Sequence, residues 1–309
     1  MSVRESRPKV GYGLARAATL LAVCVVLLGA FTRLVDAGLG CPDWPVCYGH
    51  VLWPMGEQEI ASANAAFPDT PVDSEKTWPE QVHRLFASSL GLFCIALVVV
   101  AVRQRYQEKD SGMPLKLPLF LLGLVILQGM FGMWTVTLKL WPQVVTAHLL
   151  GGFATLSLLF LLCLRLNNVQ WQLEPERVQR LQRVKPVLTV ALIALVLQIM
   201  LGGWTSSNYA ALACPDLPTC QSVWLPPMDF AAGFNFLQDI GPNYLGGVMD
   251  STARTAIHFS HRIGAVIVTI VMLFLIWHLF RIETKQTQYW ATRLLAVLVL
   301  QLCLGISNV

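Results

Sequence analysis

Leu14 to Cys47 reads LARAATLLAVCVVLLGAFTRLVDAGLGCPDWPVC. From Ala17 to Thr32 no charge interrupts the run. Extended to Val35, it reaches the roughly 20 residues that a bilayer-spanning helix requires. Small residues and two cysteines follow it. The same plan returns from Pro186 to Cys220, PVLTVALIALVLQIMLGGWTSSNYAALACPDLPTC: a span, then C-P-D-x-P-x-C. Arg16, an apolar run and small residues near Ala37 also fit a signal peptide. An internal stretch that repeats the pattern argues for a membrane span instead.

The whole composition agrees. Of 309 residues, 55% are hydrophobic and 13% charged, against roughly 25% charged in soluble domains. That excludes a cytosolic, fibrous or disordered protein and leaves a polytopic membrane protein bathed in lipid. The net charge of +4 gives no reason to expect a nucleic-acid partner. Seven spans are expected, at 14–35, 80–102, 117–138, 143–164, 186–206, 255–280 and 291–309. Arg4, Arg7, Lys9 and Arg16 precede the first. Arg103, Arg105, Lys109 and Lys116 lie between the second and third. Arg165, Arg177, Arg180, Arg183 and Lys185 lie between the fourth and fifth, and Arg281, Lys285 and Arg293 between the sixth and seventh. These are 16 of the 22 Lys and Arg residues, all on one side. Positive loops stay inside, so the N-terminus is expected in the cytoplasm. The long loops 36–79 and 207–254 then face outward.

Cysteines sort by compartment. Cys24, Cys94, Cys163 and Cys303 fall within spans, where a free thiol behaves as a small apolar group. Cys41 with Cys47 and Cys214 with Cys220 fall in outward loops, where disulfides persist. Two bridged seven-residue loops are expected, either as structural staples or as redox-active pairs.

The two cysteine pairs are 173 residues apart, and so are Gln128 and Gln301, and Gly132 and Gly305. Glu80 and His83 map onto His258 and His261 at 178. Matches in order indicate a tandem duplication, 1–170 and 171–309. Four helices per copy give both copies one orientation, with a pseudo-twofold along the membrane normal. A finer echo, L-Q-x-x-x-G, recurs at Leu127–Gly132, Leu197–Gly202 and Leu300–Gly305. Small residues there permit close helix packing.

An ionisable side chain inside a membrane helix is costly and marks function by default. Four of six histidines qualify. His278, beside Arg281, reads as interfacial, and His50 as a solvated loop residue. His83, in E-Q-V-H-R, and His148, in V-T-A-H-L-L-G-G, enter from the outer face to similar depth. Two facing helices that each offer one imidazole can ligate haem iron from both sides, and Gly151 and Gly152 would let a flat macrocycle approach. His258 and His261, in I-H-F-S-H-R-I-G-A, repeat the pattern. Zinc would need more converging Cys, His or carboxylate ligands. Arg84 and Arg262 each follow a ligand candidate and either pair with a haem propionate or snorkel to the interface. Glu80, one turn from His83, is a partner for an imidazole or a proton-transfer group. His258 holds its place in the second half, and this asymmetry suggests that the first half reacts while the second serves it.

These motifs, together with G-A-F-T-R-L-V-D-A-G-L-G-C-P-D-W-P-V-C, make the chain resemble the haem A synthase family, from about Leu20 to its last residue. The resemblance implies eight helices in two four-helix halves, with haem O as substrate in one and a haem b cofactor in the other. It implies conversion of a ring methyl to a formyl group by successive hydroxylation. His83 and His148 would ligate the substrate haem, Glu80 would be the catalytic acidic residue, and His261 would ligate haem b, with His258, Arg84 and Arg262 nearby. Cys41–Cys47 would be the pair linked with haem transfer and Cys214–Cys220 the structural pair. Haem O synthase and cytochrome oxidase assembly factors are the implied partners, and a homo-oligomer is open. The second haem b ligand is expected near position 321, on an eighth helix lacking from this sequence. With no Arg-rich, acid-poor presequence, a bacterial inner membrane is expected. Two readings stay alongside: a bis-histidine cytochrome b electron carrier, and a membrane thiol-disulfide oxidoreductase.

Overall fold

The computed structural model describes residues 3–5, 7–107, 113–171 and 174–307. Lys109 and the last two residues of the expected seventh span lie outside them. Among the described residues, seven helices are long and apolar enough to cross a membrane. They are α1 (Tyr12–Leu34), α3 (Ser74–Gln107), α4 (Lys116–Thr137), α5 (Pro142–Asn167), α6 (Pro175–Ser207), α8 (Ser251–Phe280) and α9 (Lys285–Ser307). Two short helices, α2 (Glu57–Ala66) and α7 (Phe230–Gly233), sit in the long loops. Among the described residues, the one departure from helices is a pair of three-residue strands, β1 (Val3–Glu5) and β2 (Val169–Trp171).

The helix centres agree with the hydropathy reading, but α3, α6 and α9 each start six or more residues earlier. α3 has 34 residues and α6 has 33, about 50 Å each at 1.5 Å per residue, well beyond a hydrocarbon core of about 30 Å. Pro79 lies in the extra turns of α3, and Pro186 directly follows those of α6, both inside the helix.

The chain forms two compact units. The first comprises Val3–Gln170 with Asp239–Leu245, and the second Trp171–Gln238 with Gly246–Val309. In the first, α1 packs on α3 and α5, and α4 packs on α3 and α5, which closes a four-helix ring. Lipid tails are as apolar as leucine, so such packing rests on close fit more than on water exclusion. Ala15, Ala18 and Ala22 line one stripe of α1 and are buried against Leu90, Leu97, Leu121, Leu159, Leu162 and Leu166. Large apolar residues such as Leu92, Val99 and Ile126 are exposed, as a lipid-facing surface requires. The segment 239–245 joins this unit through the Tyr244 amide, which donates to the Lys139 carbonyl at 3.0 Å.

In the second unit α8 packs on α6, α7 and α9. Val184 and Ala191 of α6 meet Leu275 of α8 and Ile282. The Trp204 indole N–H donates to the Gly233 carbonyl at 2.8 Å, so this buried ring serves packing. His278 makes edge-on contacts with Phe274 and Trp277, and Arg281 lies over the Trp277 ring. That is the aromatic–cationic cluster of an interfacial helix end.

Candidate functional site

In the first unit, α3 carries His83 and α5 carries His148. Their ring centroids are 6.5 Å apart and their planes are perpendicular, at 90°. Each ring lies beside a glycine of a neighbouring helix. A Cβ at Gly29 of α1 would stand 2.9 Å from His83 Cε1, and one at Gly132 of α4 would stand 3.7 Å from His148 Cε1. The backbone of Val25 approaches the His83 ring and that of Gln128 the His148 ring. Neither Nδ1 completes a well-aligned hydrogen bond, although both atoms are buried. Buried polar atoms are rarely left so.

That donor set fits haem. A ligating imidazole nitrogen sits about 2 Å from its metal, and the ring centre lies about 1 Å further back. Two axial imidazoles on one iron therefore have centroids about 6 Å apart, close to the observed spacing. Among the described residues no three His, Cys, Asp or Glu side chains converge as a metal site. Two imidazoles without a third donor suit a metal whose other positions a macrocycle fills.

The glycines after His148 divide. The Gln128 side chain occupies the space at Gly151, where a Cβ would fall 1.7 Å from Nε2, whereas nothing lies within 4 Å of a Cβ at Gly152. Only Gly152 leaves open the flat approach expected of both.

Glu80 is 5% exposed, and the structure gives it partners other than an imidazole. The Cys41 amide donates to its Oε2 at 3.0 Å, and Arg84 pairs with its Oε1. Through Nη1, Arg84 also donates to the carbonyls of Asp43 and Val46, both at 2.8 Å. Arg84 therefore does not snorkel. It is folded onto the loop closed by the Cys41–Cys47 disulfide, whose Cα atoms are 4.9 Å apart. Three further contacts seat this loop. Asp43 accepts from the amides of Tyr48 (2.6 Å) and Gly49 (2.7 Å). Gln81 donates to the Val51 carbonyl at 2.6 Å. Gly40 lies so close to α3 that a Cβ there would sit 2.4 Å from the Lys76 carbonyl oxygen. His50 pairs its backbone with Cys47. The Tyr48 phenol is raised above its ordinary pKa, first by burial and then by Asp43, Asp73 and Glu80.

In the second unit, α8 carries His258 and His261. A Cβ at Gly202 of α6 would stand 3.3 Å from His261 Cε1. The Gln198 amide reaches His261 Nδ1 at 3.1 Å and its carbonyl at 3.0 Å. His258 is 6% exposed and faces the loop closed by Cys214–Cys220, with Cα atoms 4.6 Å apart. The Cys214 amide lies 3.3 Å from His258 Nδ1. Arg262 Nε donates to His258 Nε2 at 3.2 Å, and its other nitrogens donate to the carbonyls of Asp216 (2.7 Å), Thr219 (2.8 Å) and Cys214 (2.7 Å). Asp216 bonds the Thr219 hydroxyl and the Ser222 amide, and these bonds hold its carboxyl below the usual range, the Thr219 bond first.

Each unit thus places a histidine over a glycine and brackets a disulfide loop between two side chains of the same helix. The brackets are Glu80 with Arg84 and His258 with Arg262. Sequence reasoning missed the brackets and the roles of Gly29, Gln128 and Gln198. The L-Q-x-x-x-G echo was the available signal for the two glutamines, and it reads as helix packing; Gly29 and the brackets lie outside it.

The cytochrome oxidase assembly protein family, COX15-CtaA, has a model that matches residues 13–309. A heme A synthase of Shewanella oneidensis is 44% identical over 296 residues, which cover 96% of this chain and 86% of that protein. A heme A synthase of Caulobacter vibrioides is 28% identical, covering 98% of this chain and 87% of its own. One of Halalkalibacterium halodurans is 23% identical, covering 93% and 83%. With a match of this extent over the helices, histidines and cysteine loops described, the chain belongs to the COX15-CtaA family of cytochrome oxidase assembly proteins.

Proposed function

We propose that this chain is a haem A synthase, a membrane oxidoreductase that converts a ring methyl of haem O to a formyl group by successive hydroxylation. The observation that carries the reading is the His83–His148 pair, set at the spacing of two axial ligands. The relatives' name and the family match support it. His83 and His148 hold the substrate haem. Glu80, three residues before His83, is the proton-handling carboxylate of this site. An ionised carboxylate only accepts hydrogen bonds, and Arg84 and a backbone amide only donate them. The observed contacts therefore present Glu80 as a base, ready to take a proton released as the methyl is oxidised.

His261 is the candidate ligand for haem b in the second unit, held by Gln198 and backed by Gly202. Haem b supplies one-electron transfer there. The chain's own part is to bind, to orient and to keep the reacting methyl from side reactions. The two halves read as tandem copies with a pseudo-twofold along the membrane normal, as an even number of spans per copy requires. The distribution of Lys and Arg supports a cytoplasmic N-terminus and outward cysteine loops, and the bacterial relatives favour a bacterial inner membrane. Haem O synthase and oxidase assembly factors are the partners that the family description favours.

The test is to purify the protein from cells that make haem O, extract the haems and weigh them. Haem A or a hydroxylated haem O is expected. Unmodified haem alone would leave the electron-carrier reading in its place. Glu80→Ala should keep haem and lose the formyl product, and an undiminished yield from it would remove Glu80 from the mechanism.

A further inference from the structure

The Glu80–Arg84 bracket touches both the disulfide loop and the helix turn that bears His83. We propose that this bracket is a latch through which the state of the Cys41–Cys47 loop is communicated to the haem site, with Arg84 as its positioning residue. The inference rests on the reading of His83 and Glu80 given above and adds a means of control to it.

The latch has three contacts. The Cys41 amide donates to one Glu80 oxygen. Arg84 holds the other. The same guanidinium donates to the carbonyls of Asp43 and Val46, on the far side of the loop. Both sulfurs are fully buried, so a thiol reaches the disulfide only when the loop lifts. Lifting it removes the amide from Glu80 and the two carbonyls from Arg84 together. Glu80 and Arg84 occupy the turn on either side of His83, so losing these partners changes the surroundings of the ligand.

The second unit repeats the design with different chemistry. Arginine has no acceptor, so His258 Nε2 must accept from Arg262. The ring proton then sits on Nδ1 and faces the Ala210 carbonyl at 3.0 Å, so the nearby Cys214 amide finds no acceptor on that atom. His258 is a neutral wedge between Arg262 and its loop, where Glu80 is a charged one. Charge-assisted hydrogen bonds are about twice as strong as neutral ones. Both arginines make charge-assisted bonds to their loops, but only the first loop also donates an amide to a charged carboxylate beside a histidine ligand.

Opening is a balanced exchange. An external dithiol gives two electrons and two protons to Cys41–Cys47, which becomes two thiols, while the donor becomes a disulfide. The experiment exposes the membrane-embedded full chain to a soluble dithiol and traps the freed thiols with a maleimide. Cys214–Cys220 serves as internal control. Arg84→Gln should speed reduction of Cys41–Cys47 about tenfold or more, the worth of hydrogen bonds from a charged donor, and leave Cys214–Cys220 unchanged. Arg262→Gln should do the reverse. Arg84→Lys keeps the charge but lacks the fork and should restore only part of the protection. It also gives the reading if the glutamine variant fails to insert.

A second readout excludes a purely structural role. In the wild type, the dithiol should shift the electron paramagnetic resonance of haem held by His83 and His148. In Arg84→Gln the shift should already be present and grow no further. Equal reduction rates in wild type and variant, or a wild-type signal that the dithiol does not move, would overturn the latch. Haem A yield is measured separately, so a failed synthase reading leaves the thiol-trapping result to be judged by itself.

Discussion

His83 and His148 face one another across the first unit with ring centroids 6.5 Å apart and perpendicular planes. They come from separate helices, α3 and α5. Either His83→Ala or His148→Ala should therefore convert a six-coordinate low-spin haem into a five-coordinate high-spin one. His261→Ala should leave that signal intact, because it lies in the other unit. Low-spin absorption that survives when each first-unit variant is combined with His261→Ala would disprove the shared ligation.

The glycines beside the rings give a graded test. An added Cβ would stand 2.9 Å from His83 at Gly29, 3.3 Å from His261 at Gly202 and 3.7 Å from His148 at Gly132. Overpacking costs about 1–3 kcal/mol, while Gly to Ala in a helix returns up to about 1 kcal/mol. The first cost wins at Gly29, where the ring must move. The second wins at Gly132, where the contact is ordinary. Haem retention after purification should fall in the order Gly132→Ala, Gly202→Ala, Gly29→Ala. A reversed order would show that the rings are not seated on these glycines.

The sequence exposes the spans because lipid tolerates only long apolar helices, so 17–32 or 186–206 has few other readings. It hides the ends. Hydropathy registers the hydrocarbon and not the helix, so the polar first turns of α3, from Ser74, and of α6, from Pro175, are invisible. Pro79 and Pro186 read as boundaries, yet each merely removes one backbone bond within a longer helix. The histidines were legible because a membrane imidazole demands a reason. Arg84 and Arg262 demanded one equally; Glu80 and His258, one helical turn before them, were within reach of a local reading, but their other partners are loop carbonyls. Those carbonyls reach the arginines only after a chain of some 40 residues has folded back, and no local pattern encodes that. The same holds for Gly151, whose open space is filled by Gln128 from another helix.

Gln198 is the polar side chain seen bonding a ligand candidate, through His261 Nδ1 and the His261 carbonyl. Partners of this kind fix ring orientation, and their loss typically costs 10- to 100-fold in metal-site affinity. Gln198→Leu, similar in size, should weaken haem binding in the second unit by about that range, and Gln198→Ala by at least as much. Titration of purified protein with haem resolves this. Unchanged affinity in both variants would mean that Gly202 and α8 alone orient the ring.

Asp216 sets a pH limit on the second disulfide loop. Its carboxylate accepts from the Thr219 hydroxyl and the Ser222 amide, with Arg262 nearby, and its pKa lies below the ordinary 3.8. A carboxyl lowered on folding stabilises the fold fully above its ordinary pKa, and that contribution is lost as pH falls through the lowered value. The loop should therefore be indifferent to pH from neutrality down to about 5 and loosen only below about 4. Hydrogen exchange at the Ser222 amide, corrected for its intrinsic acid dependence, reports this directly. Protection should be flat and then drop in the wild type. In Asp216→Asn it should be low at every pH, since the amide retains one acceptor but loses the charge. A wild-type drop between pH values of about 5 and 7 would instead remove Asp216 as the group that sets the limit.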